Sequence, residues 1–251
     1  MHHLHSPTRV RRALVAVVAI MAFGWLPFDQ SARAQAPSPS PSGARLKIGI
    51  IGTGKIGGAL ARHWASAGYD VFVSSRHPEE LQSLVAEIGS HARAGTPREA
   101  AAFGTVILVS VPYSAMPQLG EDLRAELAGK VILDTSNPVV PRDGDMAIAA
   151  QKKGAGIATA EFLHSSRVVR AFNCIPAASL ANEANRKPER LAIPIGSDDP
   201  EALKIAQQLV SDAGFDSVVV GSLAQTRQFD LGQPLATGQL TAAEYRKKMG
   251  G

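Results

Sequence analysis

Only one cysteine, Cys174, occurs in the 251 residues, so no disulfide can close within the chain. An oxidising compartment does not require disulfides, and this count therefore says nothing about location. H-E-x-x-H, C-x-x-C, G-x-S-x-G and Walker lysine motifs are all missing, which leaves metal-assisted hydrolysis and triad chemistry without support. No metal site is expected. His63 and His91 read as surface or helix residues, and Cys174 as a small buried hydrophobe. Charge is also sparse. Charged residues make up 19% and hydrophobic ones 45%, a balance that builds a packed core and excludes a largely disordered chain. The net charge of +4 is concentrated at one end. Arg9, Arg11, Arg12 and Arg33 against Asp29 give residues 1–36 a charge of +3, leaving +1 for the rest. A nearly neutral body argues against nucleic acid as a partner.

Long apolar runs are missing as well. The longest candidate, residues 13–28, is interrupted by Gly24 and Pro27 and falls short of the roughly 20 residues a membrane helix needs. It follows the basic residues Arg9, Arg11 and Arg12 and precedes Ala32-Arg33-Ala34-Gln35-Ala36. That order, basic then apolar then small, is expected of a signal peptide spanning residues 1–36. Export to a periplasm or beyond follows, with no membrane span left after cleavage. No cysteine lies near the cut to carry a lipid. The Pro/Ser alternation within residues 37–44 cannot bury a core and reads as a tether. The folded domain is expected over residues 45–222, with residues 223–251 as its C-terminal extension.

From residue 46 strands and helices alternate. Strands are expected at residues 46–51, 71–75, 105–111, 130–134, 168–172, 191–195 and 218–220. Helical spacing marks residues 55–67, 81–88 and 116–127. Asp199-Pro200 supplies an N-cap and a first-turn proline for a helix whose apolar face is Ala202, Ile205, Ala206, Leu209, Val210 and Ala213. Thr241 is expected to cap a short terminal helix. This alternation predicts an α/β fold of the Rossmann type, doubly wound, with a mainly parallel sheet and helices on both faces.

Gly52-Thr53-Gly54-Lys55-Ile56-Gly57 is a G-x-G-x-x-G motif between the first strand and the first helix, the context in which it binds a dinucleotide. Gly52 allows the tight turn, Gly54 admits the pyrophosphate to the backbone, and Gly57 lets helix and strand approach. Free amides at the helix start favour the anion. The end of the second strand selects the cofactor. NAD-binding chains place a carboxylate there to bond the ribose hydroxyls, whereas this sequence has Ser74-Ser75-Arg76-His77. A hydroxyl and a guanidinium accept a 2′-phosphate that a carboxylate would repel. NADP(H) is therefore the expected cofactor.

Further segments, Val109-Ser110-Val111-Pro112, Asp134-Thr135-Ser136-Asn137-Pro138, Val169-Arg170-Ala171-Phe172-Asn173 and Ile175-Pro176-Ala177-Ala178, together with the glycine motif and Ser74-Ser75-Arg76, resemble the deazaflavin (coenzyme F420)-dependent NADP oxidoreductases and their relatives. The resemblance covers residues 47–230. It implies that Thr53, Ser75 and Arg76 hold the 2′-phosphate, that Val111-Pro112 and Asn137-Pro138 border the nicotinamide, and that Asn173 and Ile175-Pro176 face the transferred hydride. It also implies a flavin or deazaflavin co-substrate and a homodimer joined through the late elements. Residues 225–251 are short and polar where the archaeal enzymes build their acceptor site.

No catalytic dyad is apparent, and the catalytic residues stay unassigned. Hydride transfer between two aligned rings needs little acid–base help, so an exported NADP(H)-dependent oxidoreductase acting on a flavin-like or other small acceptor is compatible with the sequence. Also compatible are a cofactor-binding sensor without turnover, and a reductase for an imine, quinone or ferric chelate.

Overall fold

In the computed structural model, residues 46–250 are described; the expected leader and tether lie outside them. Five strands come first: β1 (Lys47–Ile51), β2 (Asp70–Ser74), β3 (Ala92–Gly95), β4 (Val106–Val109) and β5 (Val131–Asp134). They are followed by β6 (Arg167–Arg170), β7 (Ala192–Gly196) and β8 (Asp216–Gly221). The sheet order is β3-β2-β1-β4-β5-β6-β7-β8. All pairs are parallel except β6 with β7, which meet antiparallel through Arg170 and Gly196. The order reverses between β1 and β4, and at that switch point a crevice opens beyond the carboxyl ends of the strands.

The helices are α1 (Lys55–Ser66), α2 (Gln82–Ile88), α3 (Pro97–Phe103), α4 (Met116–Asp122), α5 (Arg124–Leu127), α6 (Val140–Lys153), α7 (Ala155–Phe162), α8 (Ala177–Asn182), α9 (Pro200–Asp212) and α10 (Ala242–Lys248). One core packs Ile48, Ile50 and Leu108 against Trp64 and Leu209 of α1 and α9. The other packs Ile107, Val109 and Ile132 against Ala100, Met116, Leu127 and Ala158. Successive residues of β4 thus serve opposite cores, which is why Val-Ile-Leu-Val is buried throughout. Trp64 Nε1 donates to Leu209 O at 2.8 Å and ties α1 to α9. Among the described residues no helix is long and apolar enough to cross a membrane.

Several elements depart from the sequence reading. β3 and α3 were not expected, because Ala-Arg-Ala-Gly carries no apolar alternation. Their signal was Thr96-Pro97-Arg98-Glu99, a capping box with proline in the first turn. The expected helix over residues 116–127 breaks at Leu123, giving α4 and α5. α6, kinked at Gly144 with φ +60°, and α7 fill a stretch without a clear period. Within the C-terminal extension, residues 223–251, Phe229, Leu235 and Tyr245 form a third cluster with Ala192, Val218 and Val220. Their spacing is irregular because this segment wraps β7 and β8 rather than repeating along one face. Thr241 caps α10, reciprocally with Glu244.

Candidate functional site

The β1–α1 turn has the geometry that each glycine of its motif implies. Gly52 has φ +92°, and a Cβ there would lie 2.3 Å from Ser110 O. A Cβ on Gly57 would lie 2.3 Å from Gly52 O, so only glycine lets α1 sit this close. A Cβ on Gly54 would meet nothing within 4 Å: that glycine borders open space. α1 begins with no side-chain cap and no acidic residue in its first turn, which leaves its leading amides and positive dipole end to an anion. Ile56 is half-buried and packs against the core. Lys55 is exposed and lines a separate groove of about 570 Å³ with Arg62, His63 and Ala177.

Beside the turn lies a cleft of about 1090 Å³. Gly52, Thr53, Gly54, Ser75, Arg76, Val111 and Pro112 line it. Arg76 is exposed and has no hydrogen-bond or ionic partner among the described residues. Ser75 Oγ accepts from His77 N at 3.1 Å, and His77 itself turns to Glu79 at 3.4 Å. Ser74 is fully buried and donates to Ile50 O at 2.7 Å, so its side chain belongs to the strand rather than the cleft. Thr53 Oγ1 donates to Ser74 O at 2.9 Å and accepts from Ser74 N at 3.1 Å. Its hydroxyl therefore latches the turn to β2.

Asn137, Pro138 and Asn173 do not line this cleft; they sit above β5 and β6. Asn137 Nδ2 donates to Asn173 O at 2.6 Å, and Asn173 Nδ2 to Phe229 O at 3.0 Å. Beneath them is a buried charge cluster. Arg170 Nη1 donates to Asp134 Oδ2 at 2.8 Å and Ser136 O at 2.6 Å, while Nη2 reaches Asp230 Oδ1 at 3.1 Å. Thr159 donates to Asp134 Oδ2 at 2.9 Å, and Asp230 Oδ2 accepts from Ala155 N at 3.0 Å. Burial pushes the neighbouring Tyr113 phenol up to about 12 and the Cys174 thiol up to about 11, so neither ionises near neutrality. The buried atoms Ser136 Oγ and Asn173 Oδ1 have no hydrogen-bond partner among the described residues.

Several lining residues escaped the sequence reading: Thr96, Arg98, Ser114, Gln118 and Arg142. Thr96 and Arg98 could have been found from the capping box; Arg142 carries no sequence signal. It precedes Asp143, whose side chain is fully buried. Asp143 accepts from Val139 N at 2.9 Å and Ser114 N at 3.1 Å, joining the loops after β5 and β4. The Arg142 guanidinium first of all, and then these amides, hold its carboxyl well below the usual range. The sign follows: a lowered folded-state value contributes stability above the ordinary aspartate range, and that contribution fades as pH falls below it. Asp143→Asn is accordingly expected to lower the urea midpoint at pH 7, with the gap to wild type narrowing below about pH 4. A gap that is constant with pH would rule this out.

A doubly wound sheet, a glycine turn opening on a cleft at the switch point, and a free arginine after β2 define a Rossmann dinucleotide-binding protein. The family profile for coenzyme F420-dependent NADP oxidoreductases matches residues 47–138. F420-dependent NADP reductase of Methanothermobacter thermautotrophicus is 30% identical over 204 residues, covering 76% of this chain and 87% of the relative. The chain belongs to this family of NADP-dependent oxidoreductases. Metalloreductase STEAP3 of Rattus norvegicus is 28% identical over 187 residues, which cover 73% of this chain but only 36% of that protein's length. Among solved structures, protein SMa0349 of Sinorhizobium meliloti superposes with a TM-score of 0.69 at 26% identity, over 78% of this chain and 95% of that one.

Proposed function

We propose that the chain binds NADP(H) along the cleft and exchanges hydride between the nicotinamide and a small, flat acceptor of the flavin or deazaflavin kind. The observation that carries this is Arg76, unpartnered among the described residues, at the end of β2 in a cleft that opens on the glycine turn. The residues fit the cofactor. Gly54 borders open space where a pyrophosphate would lie, and the leading α1 amides lack a side-chain cap. The nicotinamide, when bound, supplies the hydride chemistry. The chain contributes alignment and exclusion of water, through the post-β4 loop at Val111-Pro112 in the cleft wall. Relatives named for coenzyme F420 and for metal reduction support a redox acceptor.

The test is to mix the protein with NADPH and a panel of deazaflavin, flavins, quinones and ferric chelates, following loss of the reduced-nicotinamide absorbance. Turnover with a ring acceptor is expected. Tight NADPH binding with no oxidation by any of them would favour a cofactor-binding sensor instead.

A further inference from the structure

Three arginines line the cleft, and they are not equivalent. Arg76, over β2, is free among the described residues. Arg98 is engaged: it pairs with Glu126 and donates to Asp122 O at 2.5 Å. Arg142 is half engaged. Its Nε donates to Asp143 Oδ1 at 2.9 Å, and its Nη2 to Asp143 Oδ2 at 2.8 Å and Asn137 O at 2.6 Å. Nη1 has no partner among the described residues, and the side chain is 46% exposed. One edge of the guanidinium is thus bolted to the loop after β5 while the other faces outward. A cation fixed in this way meets an anion without first losing rotamer freedom. The pair with Asp143 engages only Nε and Nη2, so the N–H donors of Nη1 stay open to an anion's oxygens.

The sheet order says what Arg142 can meet. On the NADP(H) reading, Arg76 after β2 would hold the 2′-phosphate and the glycine turn after β1 the pyrophosphate. The remaining half of a dinucleotide crosses the switch point toward β4 and β5. Arg142 follows β5, beyond the positions that serve the cofactor's own phosphates. Neutral Ser114 and Gln118 line the same cleft. Asp122, a carboxylate in the lining, is occupied by Gln118 Nε2 at 2.7 Å.

We propose that Arg142 is a specificity-determining residue that selects acceptors carrying an anionic group, a carboxylate or a phosphate ester, beside the redox ring. The inference rests on the NADP(H) reading above. FMN and riboflavin test it, since they share one ring and differ by a phosphate ester. Binding of each is measured by flavin fluorescence to protein already saturated with NADP⁺, so that no turnover intervenes. The prior NADP⁺ titration tests the underlying reading separately. Wild type is expected to bind FMN at least about tenfold more tightly than riboflavin. Arg142→Gln should erase that preference while leaving riboflavin and NADP⁺ affinities unchanged, and Arg142→Lys should restore part of it. Equal binding of the two flavins by wild type, or binding of neither, overturns the proposal. So does an Arg142→Gln protein that loses both flavins equally, which would make the arginine a loop brace, or one that loses NADP⁺, which would assign it to the dinucleotide.

Discussion

Arg170→Met should destabilise the protein by about 3–5 kcal/mol, the usual cost of removing one partner from a buried ionic group. Arg170 and Asp134 are both fully buried, and the Asp230 side chain is only 13% exposed. One guanidinium faces two carboxylates, so its loss leaves two negative charges out of water with no cation between them. The loss would also free Ser136 O and loosen the tie between β5, β6 and the segment carrying Asp230. Methionine fills the volume, which separates the charge effect from a cavity. Urea unfolding of wild type and variant at pH 7 checks this. A loss under about 1 kcal/mol would place the cluster among ion pairs that hydrophobic replacement tolerates. Combining Arg170→Met with Asp134→Asn and Asp230→Asn should recover part of the loss, because the uncompensated charges go with it.

The second large effect concerns cofactor choice. Arg76→Ala should weaken NADPH binding by roughly ten- to a hundredfold, equivalent to the ~1.5–3 kcal/mol of a charge-assisted contact. NADH has no phosphate at that position and should be nearly unaffected. Ser75→Asp should go further toward inversion, placing a negative charge at the end of β2, where the NAD-specific acid stands. Thr53 should matter less to this choice than its position suggests, since its hydroxyl proton already goes to Ser74 O. Fluorescence titration of both nucleotides against wild type and Arg76→Ala decides the matter. Equal losses for the two nucleotides, or a wild-type preference for NADH, would remove Arg76 as the discriminator.

How much of this was legible beforehand follows from the range of the forces involved. The sequence by itself determined the alternation of strands and helices, the glycine turn, the cap at Asp199 and the cation after β2. Each depends on residues a few positions apart: apolar period, φ preference, or a side chain bonding a nearby amide. Asp199 does accept from Glu201 N and Ala202 N, as its position before Pro200 implies. The local signal failed where small residues blur the period, as in β3 and α7, and where one chain segment wraps others, as Phe229 and Tyr245 do. Only the tertiary structure decided that Ser74 faces the core, that Asn137 and Asn173 bond each other rather than line the cleft, and that Arg170 joins Asp134 to Asp230. Those last three residues are 36 and 60 positions apart. Nothing local brings them together: burying charges in a low-dielectric interior is tolerable only when opposite ones converge, and convergence is a property of the folded sheet. The same holds for Arg142, an unremarkable surface arginine in the sequence, whose orientation is fixed only when the loops after β4 and β5 close around Asp143.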